Sequence, residues 1–392
     1  MNGSRLVSDI GVPSTVSIRS VGDTNSTASP SLTTAPVPLP KGSKYAFAIA
    51  QGSRIILGNE TASEIIASFP NEKPIIQLLT DKEAIYVIHS DGNIHAIDQS
   101  GKLLWQFRTS GFDEADPHSI LTENALVTES DTGIIAIDLH SGKKIWSHQT
   151  LFPPHNLIYD NRSKVIITSL SFDGDTFGLG DSLHHHATDS VLCLTTAGVV
   201  KSRFGIPGDR IISNLCICGK GNNLVAFGYL HQPGGGDLRT IHAAVFSGIE
   251  SGNPKKISDH ELPYLPTQIA SNGLMVFTGG FYGTGSSLES GIDAFAADDT
   301  MKLWQRRFTY PVVLPFAVSK TYLYFSLTFS AEAIAPAQSI FYTLDVTTGK
   351  TLGELPVTGA QSGFAIGIPM PIGESGFILA DRNRSAIYFL KP

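Results

Sequence analysis

The chain has 392 residues and a formal net charge of −7, with 28 Lys and Arg against 35 Asp and Glu, and only 16% of its residues are charged. That acidic balance excludes a nucleic-acid binder working by phosphate neutralisation, and no stretch reaches the about 18 apolar residues of a membrane-spanning helix. At 42% hydrophobic the chain is too apolar to stay disordered, and all-β architectures spend this length on one domain.

The start, Met1-Asn-Gly-Ser-Arg-Leu-Val-Ser-Asp9, has no apolar core of signal-peptide length, so it reads as cytoplasmic or as a mature form restarted at Met. Low charge and Ser/Thr/Gly/Asn richness tilt the expectation to an extracytoplasmic (periplasmic or secreted) setting. Cys193, Cys216 and Cys218 are too few for a disulfide framework. Cys216 and Cys218 fall in one predicted strand, where alternation puts both sulfurs on one side. Two small core residues are the favoured reading, a metal or redox pair the other.

Strand patterns dominate from end to end, and helical periodicity is sustained nowhere. Ser14–Ser20 reads as a strand, and residues 21–43, rich in Ser, Thr, Pro and Gly, read as a surface connector. Tyr45–Ala50 then pairs with Arg54–Leu57 across Gly52-Ser53. Ala84–Trp105 and Ala125–Trp146 are repeats of each other. Each has a strand, a tight Asp/Gly turn, a second strand, a Ser-Gly-Lys turn and a strand ending in Trp, and the Trp-to-Trp step is 41 residues. That is the size of a four-stranded propeller blade. The grammar continues with decay. Lys164–Leu170 pairs with Ser190–Thr195, Asn223–Gly228 with Thr240–Phe246, Leu274–Thr278 with Gly291–Ala296 running to Trp304, Tyr322–Leu327 with Ser339–Asp345, and Ser375–Ala380 with Ser385–Leu390.

Eight units result, near residues 40–70, 74–110, 116–150, 155–206, 211–262, 265–310, 313–357 and 361–392. The predicted fold is an all-β, eight-bladed β-propeller of four-stranded antiparallel blades. Seven blades with one irregular unit is the alternative. The eighth unit stops after its third strand, and Ser14–Ser20 is the natural donor of the fourth, closing the ring. The expected organisation is a closing strand plus connector over 1–43 and the propeller over 44–392.

Ala136-Ile-Asp138-Leu-His-Ser141-Gly142-Lys-Lys-Ile-Trp146 is similar to the Ala-x-Asp-x-x-Thr-Gly-x-x-x-Trp repeat of the PQQ-like, quinoprotein-type propellers. Ala96–Trp105 is a variant one residue shorter. Thr343–Gly349 keeps the Asp and Thr-Gly, and Ala294–Trp304 keeps the Trp. In physical terms Asp and Ser/Thr bond the turn backbone while Gly accepts positive φ. Trp105, Trp146 and Trp304 are expected to dock one blade on the next, each indole N–H meeting a carbonyl.

The informative asymmetry is in loop length. The turn between second and third strands takes two or three residues in units two and three, but roughly 17, 8, 8 and 8 in units four to seven, as far as strand boundaries can be read. The insertions are Phe172–Ala187, Gln232–Arg239, Gly283–Ser290 and Ala331–Gln338. Insertions at one blade position share one face, which in repeat rings is often the binding face; neutral drift in loops is the alternative. Candidate binding-face residues are Asp173, Asp175 and Asp181 on the longest insertion, His231 and Asp237 on the next, Glu289 on the third, and Asp113, Asp116 and His118 on an interblade segment expected on that face. Its acidity would suit a cationic protein segment or a metal. His184, His186 and His231 form a speculative divalent-metal set, against an ordinary solvated loop.

No catalytic residue is expected. The resemblance implies two functions. One is a non-catalytic scaffold binding a protein partner, as in bacterial envelope propellers such as the outer-membrane barrel-assembly lipoprotein subunit. The other is a quinoprotein-type oxidoreductase, implying a calcium-bound quinone, a catalytic Asp and often an adjacent Cys-Cys pair that this sequence lacks. An enzyme or a metal- or sugar-binding site in the central funnel is a third reading. The scaffold reading is favoured. It carries no cofactor beyond a divalent metal at most, takes a protein partner and no nucleic acid, and is monomeric or part of a larger complex.

Overall fold

A computed structural model describes residues 15–20, 32–109, 119–130, 133–150, 154–170, 190–205, 211–219, 223–229, 241–262, 266–282, 289–299, 301–308, 317–328, 339–357, 370–372, 376–381 and 386–391. These residues are all strand and turn. Strand β1 (Thr15–Ser20) comes first. Sheet 1 follows, with β2 (Val37–Pro38), β3 (Phe47–Gln51), β4 (Arg54–Gly58) and β5 (Ser63–Ser68). Sheet 2 has β6 (Ile75–Thr80), β7 (Ile85–His89), β8 (Asn93–Ile97) and β9 (Leu103–Arg108). Sheet 3 has β10 (Ser119–Leu121), β11 (Ala125–Ser130), β12 (Gly133–Asp138) and β13 (Lys144–Gln149). Sheet 4 has β14 (Pro154–Asp160), β15 (Val165–Leu170), β16 (Ser190–Thr195) and β17 (Val200–Phe204). Sheet 5 has β18 (Ile211–Cys218), β19 (Asn223–Tyr229), β20 (Ile241–Ser247) and β21 (Lys255–Leu262). Sheet 6 has β22 (Pro266–Ser271), β23 (Met275–Tyr282), β24 (Glu289–Ala296) and β25 (Lys302–Phe308). Sheet 7 has β26 (Ala317–Val318), β27 (Tyr322–Thr328), β28 (Ser339–Asp345) and β29 (Thr351–Val357). Sheet 8 has β30 (Met370–Ile372), β31 (Gly376–Asp381) and β32 (Ala386–Lys391).

Sheets 1 to 7 each order their four strands as they occur in the chain, the arrangement of antiparallel meanders. Sheet 8 departs from this: its fourth strand is β1, paired with β32 from Thr15↔Lys391 to Ser20↔Ala386. The terminal strand read from the sequence therefore pairs with the last strand of the chain. Pairing there covers the edge that β32 would otherwise expose.

The chain divides into two compact units, one of Met1–Gln106, Gly279–Asp293 and Leu303–Pro392, the other of Phe107–Thr278 and Ala294–Lys302. Within the first, β2 and β3 meet β6, β26 meets β30, and a core of Leu32, Phe47, Ile49, Ile56, Ile378 and Phe389 joins sheet 8 to sheet 1. Within the second, β14 lies between β10 and β18, and β18 meets β22. In both units, sheets consecutive in sequence pack face to face. The middle strands are consequently covered on both faces: β3, β7, β11 and β15 are buried at every position. That is why they read as unbroken apolar runs, while the outer β5, β9 and β13 alternate and stay largely exposed.

The connector expected over 21–43 is shorter than its composition implies. Leu32 is 1% exposed within the core that joins sheets 8 and 1, the buried Thr34 hydroxyl oxygen accepts from the Ala50 amide, and Val37–Pro38 is the first strand of sheet 1. One leucine and two residues of pairing suffice for an inner strand, and Pro38 is tolerated because that strand lies at the sheet edge.

The turn between third and fourth strands follows the repeat. Asp138 Oδ1 accepts the Ser141 amide at 2.8 Å and the Ser141 hydroxyl at 2.7 Å. Asp98 does the same for Ser100, and Asp345 for Thr348. Beyond each turn the outer strand is bulged: the register skips one residue, Ile66 in sheet 1, Ile145 in sheet 3, Lys201 in sheet 4, Ile257 in sheet 5 and Leu352 in sheet 7. Such a bulge bends and twists the strand, and the next sheet's turn docks against it. The Trp146 indole donates to the Thr196 carbonyl at 2.8 Å, and Trp304 to Val346 at 2.8 Å. Gly198 and Gly349, at φ of +79° and +65°, lie under these rings, where an added Cβ would come within 2.6 Å of Trp146 and Trp304 respectively. Trp105 is buried and tilts against Tyr86 at 5.8 Å between centroids. The Trp146 and Trp304 indoles thus each bond a carbonyl on the following sheet.

Two outcomes follow from this turn. Gly198→Ala and Gly349→Ala should each cost about 2 kcal/mol, about half of it from the left-handed backbone alone. Gly273→Ala, also left-handed but with nothing within 4 Å, should cost only that backbone part. Urea midpoints of the three variants measure the difference; equal losses would remove the docking contact from the account. The second outcome concerns acid. Hydroxyl bonds from Ser100 and Ser141 hold the Asp98 and Asp138 carboxyls below the usual carboxylate range. A lowered folded pKa contributes stability that is complete above the unfolded value of about 3.9 and is lost as pH falls through the folded one. Melting temperature should therefore drop below about pH 4, and less steeply in an Asp98→Ala, Asp138→Ala double variant that starts lower at neutral pH.

Candidate functional site

The hairpin joining second and third strands sits at the end of each sheet opposite the docking turn. In sheets 1 to 3 it is tight, bounded by Gln51 and Arg54, His89 and Asn93, and Ser130 and Gly133. In sheets 4, 5 and 7 the long segments leave from that same hairpin. Leu170 pairs with Ser190, Tyr229 with Ile241, and Thr328 with Ser339, so residues 171–189, 230–240 and 329–338 each connect adjacent strand ends. In sheet 6 the corresponding segment is 283–288, between β23 and β24. The expected common blade position is thus found for all four connections.

Most residues named for the binding face lie outside the described residues. These are Asp113, Asp116, His118, Asp173, Asp175, Asp181, His184, His186, His231 and Asp237. Glu289 is placed, and not in a loop: it is the first residue of β24, and its neighbour Ser290 is fully buried. The third insertion is therefore shorter than the sequence reading, because strand pairing begins two residues earlier than the Gly291 start expected there. Among the described residues no group of three or more His, Cys, Asp or Glu is arranged to hold a metal.

The thiols are structural in character. Cys193 and Cys218 are buried, Cys216 is half-buried, and all three are free. Burial pushes the Cys193 thiol up to about 11 and Cys216 up to about 12, and Cys218 is raised as well by burial and by Cys216. Cys216 and Cys218 occupy the first strand of sheet 5, as expected, and the Cys218 thiol donates to the Ala297 carbonyl of sheet 6. Two polar pairs gave no sequence signal. Asp293 is fully buried on β24 and accepts from Arg307 at 2.7 Å. His242 meets Asp259 at 2.8 Å across β20 and β21, with Lys256 on the other carboxylate oxygen; burial would raise the Asp259 carboxyl, but these two partners hold it below its usual range. His89 and His95, on β7 and β8, were also missed. Their signal was positional: with Val87 they alternate onto the face of sheet 2 that packs on sheet 1.

Serial four-stranded meanders, Asp-anchored turns and Trp docking define a β-propeller built from PQQ-like repeats. In that class the chain resembles BamB: the family model described as "Outer membrane protein assembly factor BamB" matches residues 22–182. The structure of BamB from Moraxella catarrhalis is 13% identical with a TM-score of 0.57, covering 91% of this chain and 96% of that one. A europium-containing methanol dehydrogenase is 11% identical with a TM-score of 0.52, over 92% of this chain and 84% of that one. The quinohemoprotein alcohol dehydrogenase ADHIIG from Pseudomonas putida HK5 is 10% identical with a TM-score of 0.54, over 91% and 75%. At these identities the likeness is one of fold. No curated protein sequence matches the chain. No helix of the described residues is long and apolar enough to cross a membrane.

The thiol environment gives a direct measurement. At about pH 8 a disulfide reagent should modify the native protein at least about tenfold more slowly than the urea-unfolded chain, because thiolate is the reacting species. A fast stoichiometric phase in the native protein would mean that one of the three thiols is activated.

Proposed function

We propose that the chain is a non-catalytic scaffold propeller that holds a protein partner on the insertions of sheets 4 to 7. Its eight sheets are the blades of one closed ring, with β1 as the closing strand, and it works outside the cytoplasm. The observation that carries this reading is the common position of the long connections: each departs from the hairpin between second and third strands. A rigid sheet presenting variable loops at one end is the usual way a repeat fold carries recognition. The acidic residues of 110–118 and 171–189, with Asp237, favour a cationic partner segment or a bridging metal at His184, His186 and His231. The likeness to BamB supports scaffolding, and the β1–β32 pairing supports closure.

The two dehydrogenase neighbours share the fold, and a quinone site was weighed against the residues present. The adjacent cysteine pair implied by that resemblance has no counterpart, since the three cysteines are 193, 216 and 218 and all are free. We therefore assign no step through a quinone.

The test is to replace residues 172–187 by a two-residue turn and repeat affinity purification from native-source extract with both proteins. The trimmed protein should keep its melting temperature and lose at least about tenfold of its specific partner, in keeping with recognition carried by loops on an intact frame. Undiminished partner recovery would remove the insertion, and the scaffold reading with it.

A further inference from the structure

His89 ends β7 and is fully buried. Its Nδ1 lies 2.7 Å from the Lys73 carbonyl, which can only accept, so Nδ1 carries the proton and Nε2 holds a lone pair. That Nε2 is buried without a hydrogen-bond partner. His95, on β8, is 6% exposed, and its Nδ1 is likewise buried and unpartnered. The two rings are 5.1 Å apart and perpendicular. Phe69, from the segment between β5 and β6, stacks on His95 at 4.6 Å and meets His89 edge-on at 5.2 Å. Three rings thus close the end of the interface between sheets 1 and 2, beside the tight hairpin of sheet 2.

This packing accommodates neutral imidazoles. A proton added to His95 places a cation against the Phe69 ring and a second imidazole, where water cannot hydrate it. The charged groups facing the pair are Glu72, from the segment leading into β6, and Asp91, in the hairpin. Each favours a protonated His95, but burial and His89 outweigh them, so His95 titrates below its usual range. Both carboxylates are also engaged elsewhere, each accepting from the Asn93 side-chain amide.

We propose that His95, packed between Phe69 and His89, is an acid-sensitive latch that holds the β7–β8 hairpin against Phe69 and sheet 1 while its ring is neutral, and releases it when that ring is protonated. The latch is independent of which partner the insertions bind. For a base whose folded pKa is depressed, stability is level above the ordinary value of about 6.5 and falls as pH drops below it, as the unfolded chain takes up protons that the folded one refuses.

The experiment is hydrogen exchange and imidazole NMR on the intact protein between about pH 7.5 and pH 5, across the histidine titration range. The hairpin amides of residues 90–94 should lose protection by at least about tenfold relative to those of β11 and β12, after correction for intrinsic exchange. In a His89→Gln, His95→Gln variant that relative loss should vanish. Should the double variant not fold, His95→Gln alone and the wild-type titration decide: His95 must stay neutral to below its ordinary pKa. A His95 ring that titrates at its ordinary value with the hairpin still protected would overturn the latch, as would the same pH-dependent loss in the variants.

Discussion

The structure depends on one repeated contact, the seating of a tight glycine-bearing turn on the outer strand of the preceding sheet. Each outer strand is mostly exposed and buries little on its own. What fixes it is the bulge, which turns one residue out of register and aims local backbone and side chains at the neighbour. Tryptophan is only one way of filling the contact. At sheet 1 the backbone carbonyl of Ile66 lies where a Gly101 side chain would be, and at sheet 4 that of Lys201 faces Gly252. Close approach of a glycine to a bulge is the common element, and the indole adds a hydrogen bond and apolar area where it is present.

This explains where the chain tolerates change. The docking turn cannot lengthen without lifting one sheet off the next, and in the described residues it stays short. At the other end of the middle strands lies the hairpin from which the long connections leave. Extra residues there cost only loop-closure entropy, which grows slowly with length. The long connections therefore accumulate where added length is cheap. Position alone makes insertion cheap, and the acidic and imidazole content of 171–189 makes this one chemically pointed.

The blade architecture was legible because its determinants are local. Asp138, Ser141 and Gly142 satisfy one another within five residues of chain, with Trp146 four residues on, so their spacing survives as a motif. The bulges were not legible, since a one-residue register shift has no composition of its own; Lys201 holds the place in sheet 4 that Ile145 and Ile257 hold in sheets 3 and 5. The first strand of sheet 1 was hidden for a related reason. It is two residues long inside a Ser/Thr/Pro-rich stretch, and its anchor is a single residue, Leu32, whose partners Ile378 and Phe389 come from the far end of the chain. Glu289 was assigned to a loop because polar residues open β24, although Ser290 is packed on all sides. The candidate site was legible only as a place, for the chemistry on that place depends on neighbours from other sheets.

The His89–His95 pair shows how the same frame accommodates polar residues. A propeller middle strand is covered on both faces, so an inward polar side chain has no route to water and must find its partners among its neighbours. Imidazole is suited to this because one nitrogen can be satisfied while the other remains neutral, at a cost well below that of a buried charge. Glutamine at Gln51, threonine at Thr128 and serine at Ser169 are buried on the corresponding strands of sheets 1, 3 and 4, and none of these can ionise. Sheet 3 buries a carboxyl, Glu129, on its corresponding strand, whereas sheet 2 places two imidazole rings there, so the hairpin of sheet 2 is where the packing responds in the histidine range.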